Sequence, residues 1–511
     1  MERAKPGANA QKSPIRKARA RHPEASCSIA MVSCEVVPLA KTGGLADAVY
    51  ALSRALEGLG QRLTVVLPAH RSAKHANVPL ERIGTRVHVP LGGRRLEAGV
   101  WKAQLSAHVR ALLIEADAYF DRDDLYGTPE GDYPDNAERF GFFCRAVLDF
   151  LRHGPFRPEV LHLNDWQTGL IPVLLRNELA ADPFYAEIGT LLTIHNLGYQ
   201  GLFPARELGT LGLPAHLFGL DGVEYYGQLS LLKGGLLFAD ILTTVSPTYC
   251  REIQKAEQGH GFDGILRKRR RDLYGILNGL DPAQWDPFDD PALPAGYSAD
   301  DLRGKARCKQ LLQQELGLEV DAERPLVAIV SRLDPQKGLD LVEAAWDKLL
   351  ARPLQLALLG NGERGLTDRF AARGAASAGQ AAVRLHFDDG LARRIYAGSD
   401  LFLMPSRYEP CGLGQLIALR YGSVPLVRST GGLADTVTDI DRDPRHGNGF
   451  SFGKPSEAAL LAALDRALKR FRERRDWLQL VRRGMRADLS WRPAAQRYLE
   501  LYTKAKERRG G

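Results

Sequence analysis

The chain has 511 residues, 44% of them hydrophobic and 25% charged, an ordinary globular composition with enough material for more than one core. Its formal charge of +8 is partly local, in the segment 2–21 and in Lys268, Arg269, Arg270 and Arg271, with no aromatic-interleaved basic motif; this argues against nucleic acid and suits an anionic small substrate. Six scattered cysteines without a CxxC pair (Cys27, Cys34, Cys144, Cys250, Cys308, Cys411) exclude a disulfide scaffold and a structural zinc, and suit a reducing cytoplasm.

Residues 1–26 are rich in Arg, Lys, Ala and Pro and lack the apolar core of a secretory signal. A disordered basic tail is expected there, with an organellar transit peptide as the alternative. From 27 onward, short apolar runs alternate with amphipathic stretches, the pattern of βαβ units around parallel sheets. Strands are predicted at 29–33, 62–67, 111–115, 160–163, 190–194 and 241–245, a helix at 45–59, and irregular strand between Arg82 and Trp101. These make a first Rossmann-like domain over 27–273. The apolar stretch 229–245 is broken by Lys233, Gly234, Gly235 and Asp240 and falls short of a membrane span, so a soluble, cytoplasmic protein is expected.

The turn-rich segment 274–287 reads as a crossover. Strands at 326–330, 354–359, 383–387, 401–404 and 425–427 then make a second doubly wound domain over 274–490. The remainder, 491–511, carries an amphipathic helix that could pack on either domain. The predicted fold class is therefore α/β, with two doubly wound domains facing across a deep cleft.

TGGLAD occurs twice, at 42–47 and 430–435, each time at a predicted strand-to-helix junction. Paired glycines there permit either a tight turn with close helix packing or a backbone approach to an anion at a helix start, and the motif alone does not decide. Lys41 precedes the first copy and projects from the carboxyl edge of its sheet, where open α/β folds bind ligands. Arg332 and Lys337 share the loop SRLDPQKG after a second-domain strand, a pair of cations suited to a diphosphate. PSRYEPCGLGQ places Glu409 and Cys411 beside a predicted helix start, with N–H groups of Gly412, Leu413 and Gly414 available to a ligand. Glu409 is either a capping carboxylate or a group that holds sugar hydroxyls and stabilises positive charge at an anomeric carbon. No histidine lies near Cys411 in sequence, which argues against a thiol nucleophile. His195 and Asn196, and Asn164 with Asp165, follow two first-domain strands and converge on the same cleft edge.

These stretches resemble the bacterial and plant glycogen/starch synthases, which have the two-domain GT-B fold. The resemblance runs through KTGGLAD (41–47), YFDRDDLYG (119–127), DNAERF (135–140), HLNDWQTGL (162–170), TIHNLGYQG (193–201), TVSPTY (244–249), GILNGLD (275–281), SRLDPQKG (331–338), PSRYEPCGLGQ (405–415) and STGGLADTV (429–437). It implies retaining transfer of glucose from ADP-glucose to the nonreducing 4-OH of an α-1,4-glucan, with no metal, no cofactor, no nucleic acid and no membrane. By that resemblance the first domain faces the acceptor and the second the donor. Lys41, His195, Arg332, Lys337 and Glu409 form the expected catalytic set, and Gly43, Gly44, Asp47, Asp165, Asn196, Asn278, Phe387, Cys411, Gly412, Leu413, Gly414 and Thr430 the expected substrate contacts. The chain departs from the family at Gly414, where CGLTQ is usual, at Phe387, where a tyrosine is common, and at the turn Gly360–Asn361–Gly362–Glu363, which usually ends in Asp. Alternatives are a UDP-glucose enzyme, a metal-dependent transferase using Asp121 and Asp123, a pyridoxal-dependent phosphorylase, and a glucan-binding protein without catalysis.

Overall fold

The computed structural model describes residues 26–128 and 130–510, so the expected tail at 1–26 lies almost wholly outside the described residues. The strand Ser28–Val32 is the centre of the first domain. All five residues are buried, as expected of a parallel strand covered on both faces. Alternate residues face opposite sides of the sheet: Ile29 and Met31 enter one apolar core, Ala30 and Val32 another.

The first sheet has nine strands. Seven are parallel, in the order Leu273–Gly275, Ile241–Thr244, Gly189–Ile194, Val160–Asn164, Ser28–Val32, Arg62–Pro68 and Val109–Glu115. Two more, Arg94–Gln104 and Leu80–Leu91, extend the edge in antiparallel fashion. The segment expected to be irregular is thus a long hairpin with one register shift, between Ile83 and Val87. From Val87 to Leu91 buried residues alternate with exposed ones, and this alternation reflects a face left to solvent. A helix at Leu231–Phe238, hidden in the sequence by its glycine pair, occupies the apolar stretch before Ile241–Thr244.

Leu273–Gly275 pairs with Ile241–Thr244, so the first domain runs two residues past the expected boundary and the crossover starts after Gly275. The second sheet has six parallel strands in the order Ala381–Arg384, Gln355–Leu359, Leu326–Val330, Leu401–Met404, Val424–Arg428 and Phe450–Phe452. The predicted strand 383–387 starts and ends earlier, leaving Phe387 in the following loop. Phe450–Phe452 was not anticipated, being only three residues long.

The last helix, Arg492–Gly510, returns to the first domain and closes one face of its sheet. Tyr498, Leu501, Tyr502 and Ala505 are buried with Ile29, Met31, Val160 and Leu191. The Tyr502 hydroxyl lies 2.7 Å from His162 Nδ1, whose Nε2 lies 2.7 Å from Thr193 Oγ1. The chain therefore crosses between domains twice, and the two crossings touch through a parallel bridge between Leu280 and Ser490. No helix among the described residues is long and apolar enough to cross a membrane.

Candidate active site

Both sheets present their carboxyl edges to the cleft, and the loops there carry the candidate residues. In the first domain, the turn after Ser28–Val32 is organised by a residue that the sequence did not single out. Glu35, 3% exposed, accepts hydrogen bonds from Thr42 N (2.7 Å), Thr42 Oγ1 (2.8 Å), Gly43 N (3.1 Å) and the Tyr126 hydroxyl (2.8 Å). The Gly43 N–H expected to meet a ligand is thus already donated to a carboxylate. What the turn offers the cleft is Lys41, exposed and paired with Asp47 at 2.9 Å. A pair of this exposure contributes little stability, so Lys41 can exchange Asp47 for an anionic ligand at small cost.

Asp165 holds the adjoining loops together. It has a positive φ of 55°, which aspartate tolerates better than most residues. Its carboxylate accepts the backbone N–H of His195 at 2.7 Å and that of Asn196. Burial outweighs these donors and pushes the carboxyl up to about 7. Burial also pushes His195 down to about 4, so its imidazole is neutral at physiological pH. Asn164 Nδ2 donates to Val32 O, which turns Oδ1 toward His195 Nε2 at 2.9 Å and makes that nitrogen the protonated one.

Across the cleft, Lys337 ends the short turn Pro335–Lys337, capped by the Asp334 side chain. Its Nζ lies 2.8 and 3.0 Å from the two Glu409 oxygens, and Ser406 Oγ donates to the same carboxylate at 2.9 Å. Glu409 is 5% exposed, so this is a buried ion pair rather than a surface one. Gly338 follows with φ 64°, and a Cβ there would stand 2.3 Å from Pro405 O; only glycine lets these two loops meet. Arg332 is exposed, 3.4 Å from both Asp334 and the Tyr199 hydroxyl of the first domain. The turn at 360–363 fixes that loop through Leu333 N to Asn361 O (2.9 Å) and Glu363 N to Leu333 O (2.8 Å).

The remaining candidates divide. Cys411 is buried, its thiol pushed up to about 12 by desolvation, and it is no nucleophile. Gly412 has φ 76°, Leu413 packs 3.5 Å from the Cβ position of Gly44, and Gly414 opens the helix Gly414–Arg420, two residues later than expected. A Cβ at Gly414 would lie 3.1 Å from the Phe402 ring, so the unusual glycine is matched to a crowded wall. Asn278 is half-buried beside the Cys411 thiol. Thr430 is buried and donates to Glu252 of the first domain. Phe387 is 85% exposed at the outer edge of the second sheet, beside the edge strand rather than among the buried groups.

Asp121 and Asp123, the alternative metal pair, both bind Arg71. In the basic run, Arg269 pairs with Asp272 and donates to the carbonyls of Leu236, Leu237, Ala239 and Asp240, closing the helix Leu231–Phe238. That cation is structural. Besides Glu35, sequence reasoning missed Tyr126, Tyr199, Ser406 and Tyr408. Tyr408 reaches the Asn196 side chain from the other domain, and its place beside Glu409 was the one available signal.

Two doubly wound domains meeting over such a cleft define a GT-B glycosyltransferase. The starch synthase catalytic domain family matches residues 28–268, and the glycosyl transferases group 1 family matches 315–482. The chain is 57% identical to a glycogen synthase of Syntrophotalea carbinolica, over 94% of this chain and 99% of that one. It is 49% identical to a glycogen synthase 2 of Geobacter sulfurreducens, over 94% and 100%. Among solved structures, the catalytic domain of starch synthase IV from Arabidopsis thaliana, bound to ADP and acarbose, superposes with a TM-score of 0.88 at 35% identity, over 94% and 100%. The chain belongs to the glycogen/starch synthase family.

Proposed function

We propose that this enzyme transfers glucose from ADP-glucose to the nonreducing 4-OH of an α-1,4-glucan, with retention of configuration and release of ADP. The observation that carries this is the buried Lys337–Glu409 pair beside Arg332, facing Lys41 across the cleft. Arg332 and Lys337 are two fixed positive charges where a departing diphosphate needs neutralising, the service a divalent metal gives in other transferases. Glu409, already desolvated, is suited to hold a sugar hydroxyl and to stabilise an oxocarbenium-like centre. Neutral His195, whose Nε2–H is held by Asn164 Oδ1, leaves Nδ1 to accept from a sugar hydroxyl without adding charge beside a cationic transition state. Lys41 completes the donor site from the first domain when the domains close.

The adenine preference rests on relatedness to the ADP-bound plant enzyme. Exposed Phe387 is the aromatic face proposed for the base, and it offers stacking without a phenol hydroxyl. Incubation with glycogen and ADP-glucose or UDP-glucose, in the presence of a chelator, tests the proposal. ADP release with chain lengthening, faster from ADP-glucose and unaffected by chelation, is expected. No turnover with any nucleoside diphosphate glucose overturns it.

A further inference from the structure

The second TGGLAD lies 388 positions after the first, in a different domain, yet the two are held in the same way. In the first copy Glu35 accepts from the Thr42 hydroxyl and from the N–H of Gly43. In the second, Glu252 accepts from the Thr430 hydroxyl (3.1 and 3.3 Å) and from the N–H of Gly431 (3.0 Å). The difference is the source of the carboxylate. Glu35 belongs to the domain it braces, whereas Glu252 ends the helix Pro247–Glu252 of the opposite domain.

The contact is reciprocal. Asp435, the last residue of the second motif, accepts from Thr248 N (2.7 Å) and Thr248 Oγ1 (2.6 Å) near the start of that same first-domain helix. Each domain thus supplies the carboxylate that satisfies unpaired helix-start donors of the other. The buried motif also presses on the loop that carries Glu409. Gly432 N donates to Glu409 O at 3.0 Å, and a Cβ on Gly431 would stand 1.9 Å from that oxygen. Gly431 has φ 46°, a conformation that glycine alone takes without strain.

We infer that Glu252 is a positioning residue for transfer: by capping Thr430 and Gly431 from the first domain, it fixes the backbone behind Glu409 and ties the shape of the donor site to domain closure. Opening the cleft at this point withdraws the Glu252 and Asp435 caps together, leaving four donors unpaired. The Glu409 loop then loses its support at the moment the donor leaves. The inference rests on the proposed glucosyl transfer, since Glu409 matters only if that reaction occurs.

Glu252→Ala, Glu252→Gln, Thr430→Val and the double variant Glu252→Ala with Thr430→Val test it, assayed beside the wild type with ADP-glucose and glycogen. Displacing a reacting group by a fraction of an ångström to one ångström lowers rates by ~10- to ~100-fold. Glu252→Ala is expected to lower kcat by ~10-fold or more with KM for glycogen little changed, and to lower the thermal midpoint because buried Thr430 and the Gly431 N–H lose their acceptor. Glu252→Gln, which keeps one acceptor oxygen, restores most of the rate. The double variant is no slower than Glu252→Ala, because both changes remove one contact. Should Glu252→Ala not fold, Thr430→Val carries the test through a smaller fall in kcat at unchanged KM for glycogen. A kcat within twofold of wild type in a folded Glu252→Ala, or losses that multiply in the double variant, overturn the inference. An inactive wild type would instead refute the proposed function.

Discussion

Replacing Asp165 by asparagine probes the most strongly perturbed carboxyl in the cleft. The side chain is 9% exposed, and burial raises it from the ordinary 3.8 to about 7. Because the folded-state value is raised, the native protein keeps a proton that the unfolded chain has already released. The resulting stabilisation is complete below pH ~4 and is lost as pH rises through about 7. At ~1.4 kcal/mol per decade, that interval corresponds to ~4 kcal/mol. Asparagine has nearly the same shape, tolerates positive φ and keeps a carbonyl oxygen for the His195 N–H, but it does not titrate. Between pH 4 and pH 8 the stability difference should therefore move by ~4 kcal/mol in favour of Asp165→Asn. Urea unfolding at several pH values, followed by the fluorescence of neighbouring Trp166 with the first-domain transition resolved, measures it. Parallel pH profiles for wild type and variant would refute the reasoning, since they would mean that Asp165 is ionised throughout.

Lys337→Met leaves the buried Glu409 carboxylate with only Ser406 and should cost ~3–5 kcal/mol in thermal or urea unfolding of the second domain; adding Glu409→Gln should recover most of that stability without recovering activity. Arg332→Ala removes an exposed guanidinium, so stability should change by less than ~0.5 kcal/mol while kcat with ADP-glucose falls in steady-state assays, because the charge that neutralises the departing diphosphate is gone. Tyr502→Phe strips His162 Nδ1 of its partner inside the first core and should lower stability by ~1–3 kcal/mol, read by thermal unfolding, without altering kcat.

The parallel core of both domains was legible because strands buried on both faces read as unbroken apolar runs: Leu326–Val330 and Leu401–Met404 match their predicted limits. The hairpin 80–104 was not, because half of its residues face solvent and charged side chains such as Arg82, Arg86, Arg94 and Arg95 mask the alternation. Gly234 and Gly235 obscured the helix Leu231–Phe238 in the same way. In the site, chemistry marked the loops better than geometry did. Arg332, Lys337 and Glu409 stood out as charges at strand ends, and the structure brings Lys337 and Glu409 into direct contact. Glu35 and Glu252 carry no such mark. Each is a single glutamate whose importance lies in backbone donors elsewhere in the chain, Thr42 being 7 residues from Glu35 and Gly431 being 179 residues from Glu252. The repeated TGGLAD therefore did signal a shared local structure, but the N–H groups of Gly43 and Gly431 are turned toward protein carboxylates and that of Gly432 toward a backbone carbonyl.

The most direct measurement is the turnover of Glu409→Ala with ADP-glucose and glycogen, alongside a circular dichroism spectrum showing that the fold is retained. Loss of charge stabilisation at the anomeric carbon predicts a fall in kcat of ~100-fold or more with KM for glycogen little changed. A near-normal kcat in a folded Glu409→Ala would contradict the assignment of the cleft between Lys41 and the Lys337–Glu409 pair as the site of glucosyl transfer.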